Sequence, residues 1–134
     1  HTLIEFCLKD DALGDPVIAR EHIEMMQLAD SFEIDEITSM SYRVTDFLSG
    51  IFAMMQIQLI DFKLEFGRLH NNTDFPQIIL ADEISPDNCR LWDMKTNEKL
   101  DKDRFRRDLG GLIESYTDIA HRMSIHLPAL SAEK

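Results

Sequence analysis

Hydrophobic and polar residues alternate along residues 59–67, LIDFKLEFG, with the period of two that is typical of a half-buried β-strand. One predicted face is apolar and the other is charged: Ile60, Phe62, Leu64 and Phe66 against Asp61, Lys63 and Glu65. A second apolar run, residues 77–84, follows a polar loop and Pro76. The two runs predict an antiparallel hairpin, whose register the sequence leaves open.

A long amphipathic helix is predicted from Asp30 to about Gln56, because apolar residues recur there at steps of three or four. Asp30 and Glu33 have the spacing of a capping box at its start. We expect Gly50 to mark close packing and the Met54–Met55 pair to fill core space. The predicted buried stripe consists of Ile34, Ile37, Ser41, Val44, Leu48, Ile51 and Met55.

A second amphipathic helix is predicted from about Lys102 to Ser124, with Asp101 or Asp103 as its cap. Gly110–Gly111 lies in its middle, where we expect another backbone to approach closely. Its predicted buried stripe consists of Phe105, Leu109, Leu112, Ile113, Tyr116, Ile119 and Met123.

The two ends of the chain carry weaker patterns. Residues 1–9 predict a short strand, residues 10–16 a turn, and residues 20–29 a short helical or irregular segment. Residues 128–134 have no pattern and are expected to fray.

Together these elements predict a two-layer α/β (α+β) fold. A small, mainly antiparallel sheet would be covered on one face by the two amphipathic helices. Its other face, with Lys63 and Glu65, would stay open. A length of 134 residues predicts one domain, over residues 1–127.

Composition narrows the class of protein. The net charge of -11 argues against a nucleic-acid partner and against an anionic membrane surface. No apolar run approaches the roughly 20 residues of a membrane span. Cys7 and Cys89 are the two cysteines and form no CxxC motif, which favours reduced thiols and a cytoplasmic protein.

The charged strand face suggests a binding site. An acid, a base and an acid alternate on it, and Asp82 follows the second apolar run. If the register brings Glu65 and Asp82 together, two carboxylates beside a lysine would suit Mg²⁺, which prefers oxygen ligands and shares them with nucleotide phosphates. A solvated surface strand with alternating charge has the same pattern.

Four segments resemble a known family. They are FCLKDDALGDP at 6–16, LIDFKLEFG at 59–67, LADEISPDNCRLWD at 80–93 and KLDKDRFRRDLGGLIESY at 99–116. In this order they resemble the C-terminal half of the SAICAR synthetases of purine biosynthesis, over roughly Glu5 to Met123. The resemblance implies the second lobe of an ATP-grasp-like architecture. The family's N-terminal lobe is absent from these residues, so the chain alone is expected to be inactive.

The resemblance also implies a reaction. An aminoimidazole ribotide carboxylate, CAIR, would be joined to L-aspartate to give SAICAR, with ATP converted to ADP and phosphate through an acyl phosphate. The cofactors would be ATP and Mg²⁺, and this chain would supply the metal and ATP-phosphate half of the site. The partners would be small molecules, with no nucleic acid or membrane, and a homo-oligomer is left open.

Site residues follow from the matched motifs. Glu65 and Asp82 would ligate magnesium, Lys63 would contact the nucleotide, and Arg90 would bind the ribotide phosphate or carboxylate through its planar fork. Secondary candidates are Lys9 and Asp15 for the imidazole substrate or aspartate, Asp87 for orienting Arg90 or a metal-bound water, and Arg104, with Lys102 and Arg106, for an anion at the last helix.

Structural alternatives exist for the same residues. Lys63 could pair with Asp61 or Glu65 on the strand face, and Arg90 with Asp87 or Asp93 in its loop. Trp92 is expected to fill core space. The rival functions are a non-catalytic acidic interaction module and another ATP-grasp-like small-molecule kinase.

Overall fold

The computed structural model describes residues 2–70 and 76–126. The chain divides into two compact units, each made of two chain segments. The first unit contains His1–Asp46 and Leu64–Ala81, and the second contains Phe47–Lys63 and Asp82–Lys134. The loop of the predicted hairpin at 71–75 and the predicted frayed end at 127–134 lie outside the described residues.

The first unit begins with two short strands, β1 (Phe6–Cys7) and β2 (Val17–Ile18), which pair antiparallel. A 3-10 turn, Asp11–Leu13, lies between them. The Asp10 carboxylate accepts hydrogen bonds from the backbone N–H groups of Ala12 and Leu13 in this turn. Helix α1 (Arg20–Met25) follows. The strand, the turn and the short helix predicted for this region are therefore confirmed.

Helix α2 (Ser31–Met54) confirms the long helix that the periodicity predicts. The capping box is also confirmed: the Asp30 N–H donates to Glu33 Oε2 at 3.0 Å, and the Glu33 N–H donates to Asp30 Oδ1 at 2.9 Å. The predicted stripe is buried or half-buried throughout. Two details are wrong, since Met54 is 79% exposed and a Cβ at Gly50 would meet nothing within 4 Å.

The hairpin of the first unit consists of β4 (Glu65–Leu69) and β5 (Gln77–Ala81). Its antiparallel register pairs Glu65 with Ala81 and Leu69 with Gln77, which settles what the sequence left open.

The second unit contains β3 (Ile57–Phe62), β6 (Cys89–Asp93), and the helices α3 (Asp103–Arg106) and α4 (Leu112–Arg122). Strands β3 and β6 pair antiparallel. The buried apolar side chains of this unit are Leu48, Phe52, Ile57, Cys89, Leu91, Leu100 and Ile119.

The predicted single strand at 59–67 is wrong. Strand β3 ends at Phe62 and pairs with β6, whereas β4 begins at Glu65 and pairs with β5. A β-bulge between Leu59 and Asp61 leaves Ile60 without a partner, and an extra residue shifts the alternation of faces. Ile60 is accordingly 39% exposed, although the sequence pattern places it on the apolar face.

The sheet and the last helix also differ from expectation. The described strands form three two-stranded antiparallel sheets and not one sheet. The predicted helix from Lys102 to Ser124 is two helices, because Gly110 and Gly111 adopt φ values of 67° and 65°, which a right-handed helix does not allow. Leu109, Ile113 and Met123 are exposed, contrary to the predicted stripe; the Phe105 side chain lies outside the described part.

Both cysteines are free thiols. Burial raises the pKa of Cys89 to about 11, so its thiol is protonated and unreactive at neutral pH. In the described part of the chain, no helix is long and apolar enough to cross a membrane.

An ion pair joins α2 to the hairpin inside the first unit. The Arg68 guanidinium donates to both carboxylate oxygens of Glu33, one of them at 2.7 Å, and to the Leu28 carbonyl oxygen at 2.8 Å. The hydrogen bonds from Arg68 lower the pKa of Glu33 from about 4.5 to about 2.

Replacing Glu33 by glutamine should make the free energy of unfolding less dependent on pH in the acid range. A carboxylate with a depressed folded-state pKa stabilises the fold above its ordinary pKa, near 4.5, and that stabilisation disappears as the pH falls through about 2. Glutamine keeps the capping-box hydrogen bond, so Glu33→Gln should cost about 1 kcal/mol at pH 7 through the charge alone. Urea unfolding of both proteins between pH 7 and pH 2 measures the difference, which should shrink toward the acid end.

The exposed Glu21→Gln variant is the control and should follow the parent at every pH. A Glu33→Gln variant whose stability runs parallel to that of the parent over the whole range would contradict the proposed ion-pair contribution.

Alanine at two glycines should have opposite effects. Gly50 lies inside α2 with open space around it, so Gly50→Ala should stabilise by up to about 1 kcal/mol. Gly110 also has open space but a φ of 67°, so Gly110→Ala should destabilise by about 1 kcal/mol through backbone strain. Thermal unfolding followed by circular dichroism checks both signs, and equal signs would refute the explanation of the helix break.

Candidate functional site

Arg90 lies at the centre of an acid–base cluster in the second unit. The bulge at Ile60 brings Asp61 into register with Arg90, so the two side chains lie on neighbouring strands. Arg90 Nη1 donates to Asp61 Oδ2 at 2.7 Å, and Arg90 Nε lies 3.4 Å from Asp103 Oδ2. The hydrogen bond with Asp61 raises the pKa of Arg90 further, so the guanidinium is a permanent cation.

Asp101 fixes the chain beside this cluster. Its carboxylate is fully buried and accepts the Leu91 N–H at 2.7 Å with one oxygen and the Asp103 N–H at 2.8 Å with the other. The first bond ties it to β6, and the second makes it the cap at the start of α3, one of the two caps that the sequence predicts. Asp103 is therefore held close to Arg90.

Several cationic side chains lie close to the Asp103 carboxylate, although Asp103 is only 4% exposed. Burial raises the pKa of its carboxyl, but Lys99, Arg90 and Arg107 outweigh burial and the net shift is downward. Lys99 Nζ lies 3.4 Å from Asp103 Oδ2, and Arg106 Nη1 lies 3.7 Å from Oδ1. The cluster thus combines a low-pKa carboxylate with an oriented guanidinium.

In the first unit, the structure brings Lys9 and Glu65 together. Lys9 Nζ lies 2.6 Å from Glu65 Oε2, and the side chains are 75% and 25% exposed. Glu65 is the first residue of β4 and Lys9 follows β1, so two predicted site residues 56 positions apart meet at one point.

The register of the hairpin pairs Glu65 with Ala81, the residue directly before Asp82. Asp82 is exposed, directly follows β5 and has a φ of 70°, a left-handed conformation that is uncommon outside glycine. The Lys63 N–H donates to the Asn88 carbonyl oxygen at 2.9 Å in the second unit, and its side chain is exposed. Asp15 accepts the Asp10 N–H at 2.9 Å in the turn between β1 and β2.

Asp87 does not orient Arg90. Its carboxylate instead accepts a hydrogen bond from the Tyr116 hydroxyl on α4 at 2.7 Å, and burial together with this bond raises the pKa of Tyr116. The structural alternative for Arg90, an ion pair with Asp87 or Asp93, is wrong as well, because Arg90 pairs with Asp61 and Asp103, whereas Asp93 pairs with Arg122 at 2.7 Å.

Arg104 clamps the connection between α3 and α4. Its guanidinium donates to the Gly110 carbonyl oxygen at 2.8 Å, to the Lys99 carbonyl oxygen at 3.0 Å and to the Glu98 carboxylate at 2.6 Å. Only 14% of its side chain is exposed. Because α3 has only four residues, the expected long helix whose dipole would support an anion site here is not formed.

The sequence interpretation missed three contributors: Asp101 and Asp103 as partners in the cluster, and Tyr116 as the partner of Asp87. Their acidic and phenolic types are visible in DKD and ESY, but their burial depends on long-range pairing. Trp92 is half-buried as expected; its indole N–H is buried and has no hydrogen-bond partner among the described residues.

Carboxylates are the available metal ligands. Among residues 2–70 and 76–126, no group of three or more histidine, cysteine, aspartate or glutamate side chains could hold a metal ion.

Two curated relatives of this chain carry the same enzyme name. It is 61% identical over 125 residues to the phosphoribosylaminoimidazole-succinocarboxamide synthase of Sphingopyxis alaskensis, covering 93% of this chain and 48% of that protein. The enzyme of the same name from Phenylobacterium zucineum is 60% identical over 125 residues, with 93% and 49% covered. The chain thus spans about half the length of the curated relatives it matches.

Solved structures of enzymes from the same family also match this chain. The synthase from Ehrlichia chaffeensis matches with a TM-score of 0.88 and 45% identity, over 94% of this chain and 53% of that one. A SAICAR synthetase in complex with ADP matches with a TM-score of 0.86 and 42% identity, over 96% and 53%. The family model of SAICAR synthetase matches residues 1–123. With nearly its whole length matched, this chain belongs to the SAICAR synthetase family.

Proposed function

We propose that this chain forms the nucleotide- and metal-binding half of an enzyme that joins CAIR to L-aspartate with consumption of ATP. One observation carries the proposal: 96% of the chain superposes on half of a SAICAR synthetase that binds ADP, at 42% identity. The proposal includes the ATP-grasp-like arrangement and a cytoplasmic enzyme with small-molecule substrates, without nucleic acid or membrane partners.

The proposed reaction activates the CAIR carboxylate, because a free carboxylate is a poor acyl donor. A CAIR carboxylate oxygen attacks the γ-phosphorus of ATP, the bond to the β–γ bridging oxygen breaks, and ADP leaves. The aspartate amine then attacks the acyl carbon, a C–N bond forms, the C–O bond to the phosphate breaks, and the amine loses a proton. Phosphoryl transfer of this kind depends mainly on positioning and on charge neutralisation by the protein.

Glu65 and Asp82 are proposed as the magnesium ligands. Carboxylate oxygens are the donors that Mg²⁺ prefers, and the ion would take its remaining oxygens from phosphates and water. When bound, Mg²⁺ would neutralise charge on the ATP phosphates. Lys63 is proposed to contact the same nucleotide, and Lys9 and Asp15 the substrate side.

Arg90 is proposed to bind the ribotide phosphate or carboxylate. Within the described part of the chain, Asp61 engages its Nη1 and Asp103 faces its Nε, which leaves Nη2 to donate to an anion. Asp87 and Arg104 stay predictions as substrate contacts, with weaker support because Tyr116 and the α3–α4 connection already use them.

Removing either proposed metal ligand should weaken nucleotide binding that depends on magnesium. Glu65→Ala and Asp82→Ala should each raise the Kd for Mg-ATP at least tenfold, because one oxygen ligand of the ion is lost. Calorimetry on this chain, and on a polypeptide that continues it to the length of its relatives, measures the effect. The exposed Glu21→Ala variant should bind like the parent, and unchanged binding by both site variants would remove the metal assignment.

Arg90→Lys should separate the guanidinium geometry from its charge. Lysine keeps the positive charge but loses the planar fork, so the KM for CAIR should rise about tenfold or more while the KM for ATP changes little. Steady-state kinetics on a polypeptide that continues this chain to the length of its relatives test this. Arg107→Lys, at a 62% exposed side chain 3.9 Å from Asp103, is the matched control. An unchanged KM for CAIR would contradict the role of Arg90.

A further inference from the structure

The loop between Asp82 and Arg90 is built around a tight turn at residues 85–88, which we call the SPDN turn. The Asn88 N–H donates to the Ser85 carbonyl oxygen at 3.1 Å, and the Ser85 N–H donates to Asn88 Oδ1 at 2.9 Å. Ser85 Oγ accepts the Asp87 N–H at 3.2 Å. Because serine and asparagine side chains bond to the local backbone in this way, the turn has a defined internal shape.

Hydrogen bonds also fix the SPDN turn to distant segments of the second unit. Two of these bonds join backbone atoms: the N–H groups of Lys63 and Lys102 donate to carbonyl oxygens of the turn at 2.9 and 3.3 Å. Another runs from the Tyr116 hydroxyl on α4 to Asp87 Oδ1 at 2.7 Å. Burial raises the pKa of Tyr116, so its hydroxyl keeps the proton that it donates at neutral pH. Tyr116 thus supplies an anchor that depends on a side chain and can be removed by substitution.

Residues that we propose as ligand contacts lie on both sides of the SPDN turn. Asp82, a proposed magnesium ligand, is three residues before the turn, and Arg90, the proposed anion contact, is two residues after it. Lys63, proposed to contact the nucleotide, is bonded to the turn through its backbone. Asp82 has a φ of 70°, a strained conformation that persists only where the surrounding chain holds it. The position of the turn therefore affects three proposed contacts.

We propose that Tyr116 is a positioning residue of the candidate site and acts through Asp87 on the SPDN turn. Its hydroxyl holds the Asp87 carboxylate, and the anchored turn keeps Asp82 and Arg90 in place relative to each other. In this role Tyr116 makes no contact with a substrate. The inference rests on the proposed function, because Asp82 and Arg90 are its ligand contacts, but the anchoring of the turn is measurable without any ligand.

Cys89 reports on the SPDN turn independently of function. It directly follows the turn, is 3% exposed, and donates its N–H to the Ser85 carbonyl oxygen at 3.1 Å. In a Cys7→Ser background its thiol is the remaining one, and an aromatic disulfide reagent measures its accessibility. Tyr116→Phe removes the hydroxyl alone, so labelling of Cys89 should become at least about fivefold faster through local opening of the turn. Tyr42→Phe, at the other tyrosine of the chain and 46% exposed on α2, is the matched control and should label like the parent.

Binding and kinetics test whether the anchor matters for the site. Tyr116→Phe should raise the Kd for Mg-ATP and the KM for CAIR about five- to tenfold and leave kcat within about twofold, because the contacts are displaced and not removed. Calorimetry on this chain, and kinetics on a polypeptide that continues it to the length of its relatives, measure these values. Ile119→Val, at a buried position of the same helix, should lower the melting temperature by a similar amount but leave Kd and KM unchanged.

Variants of Asp87 separate this hydrogen bond from other effects. Asp87→Asn keeps an oxygen that accepts from the Tyr116 hydroxyl, so its KM for CAIR should stay within about threefold of the parent. Asp87→Ala removes the acceptor and should behave like Tyr116→Phe. The double variant Tyr116→Phe/Asp87→Ala should be no worse than Asp87→Ala, since both changes remove the same bond.

Faster labelling of Cys89 together with a higher KM for CAIR in Tyr116→Phe supports the inference, and circular dichroism shows that the variants are folded. Unchanged labelling overturns the anchoring of the turn. Faster labelling with unchanged Kd and KM overturns the positioning role, as does a loss in Asp87→Asn that Tyr116→Phe does not share. A parent that neither binds Mg-ATP nor uses CAIR refutes the proposed function and the positioning role with it. That failure is distinct, because it precedes any comparison of variants.

Discussion

The arrangement of the second unit depends on one buried charge, the carboxylate of Asp101. A fully buried carboxylate is tolerated only when hydrogen bonds satisfy its oxygens, and here each oxygen accepts one backbone N–H, from Leu91 and from Asp103. These two bonds tie the chain that enters α3 to strand β6. They place the Asp103 carboxylate beside Arg90. Asp101, which is itself fully buried, therefore helps to position the residue that we propose to bind the substrate.

Local patterns in the sequence predicted part of the local structure correctly. The steps of three and four in α2, the Asp30–Glu33 capping box and the apolar runs of β4 and β5 all involve neighbours in the chain or one short connection, and each was confirmed. Strand β3 differs because its boundary depends on β6, about 30 residues away. The unpaired Ile60 adds one residue, and no pattern in LIDFKLEFG reveals it.

The sequence identified the charged residues better than their partners. The structural alternative for Arg90 was an ion pair with Asp87 or Asp93, yet Arg90 pairs with Asp61 across the β3–β6 ladder and with Asp103. Lys9 and Glu65, taken from two separate motifs, meet at 2.6 Å. The partner of each charged residue depends on strand register and on contacts between segments distant in the chain, and a single sequence does not specify these. The motifs predicted which charged residues belong to the candidate site, and the structure shows the residues with which they pair.

A chain with a net charge of -11 is an unexpected place for the anionic substrate that we propose, and the Arg90 cluster shows how the local charge can differ from the net charge of the whole chain. Four cations, Arg90, Lys99, Arg106 and Arg107, lie around Asp103, against the carboxylates of Asp61, Asp101 and Asp103. This leaves a local charge of about +1. Asp61 and Asp103 orient Arg90, and the excess of one positive charge would favour the phosphate that we propose as its ligand. Removing an acid from this cluster would therefore increase its charge but lose the orientation of Arg90, and a planar fork binds phosphate well only when it is oriented.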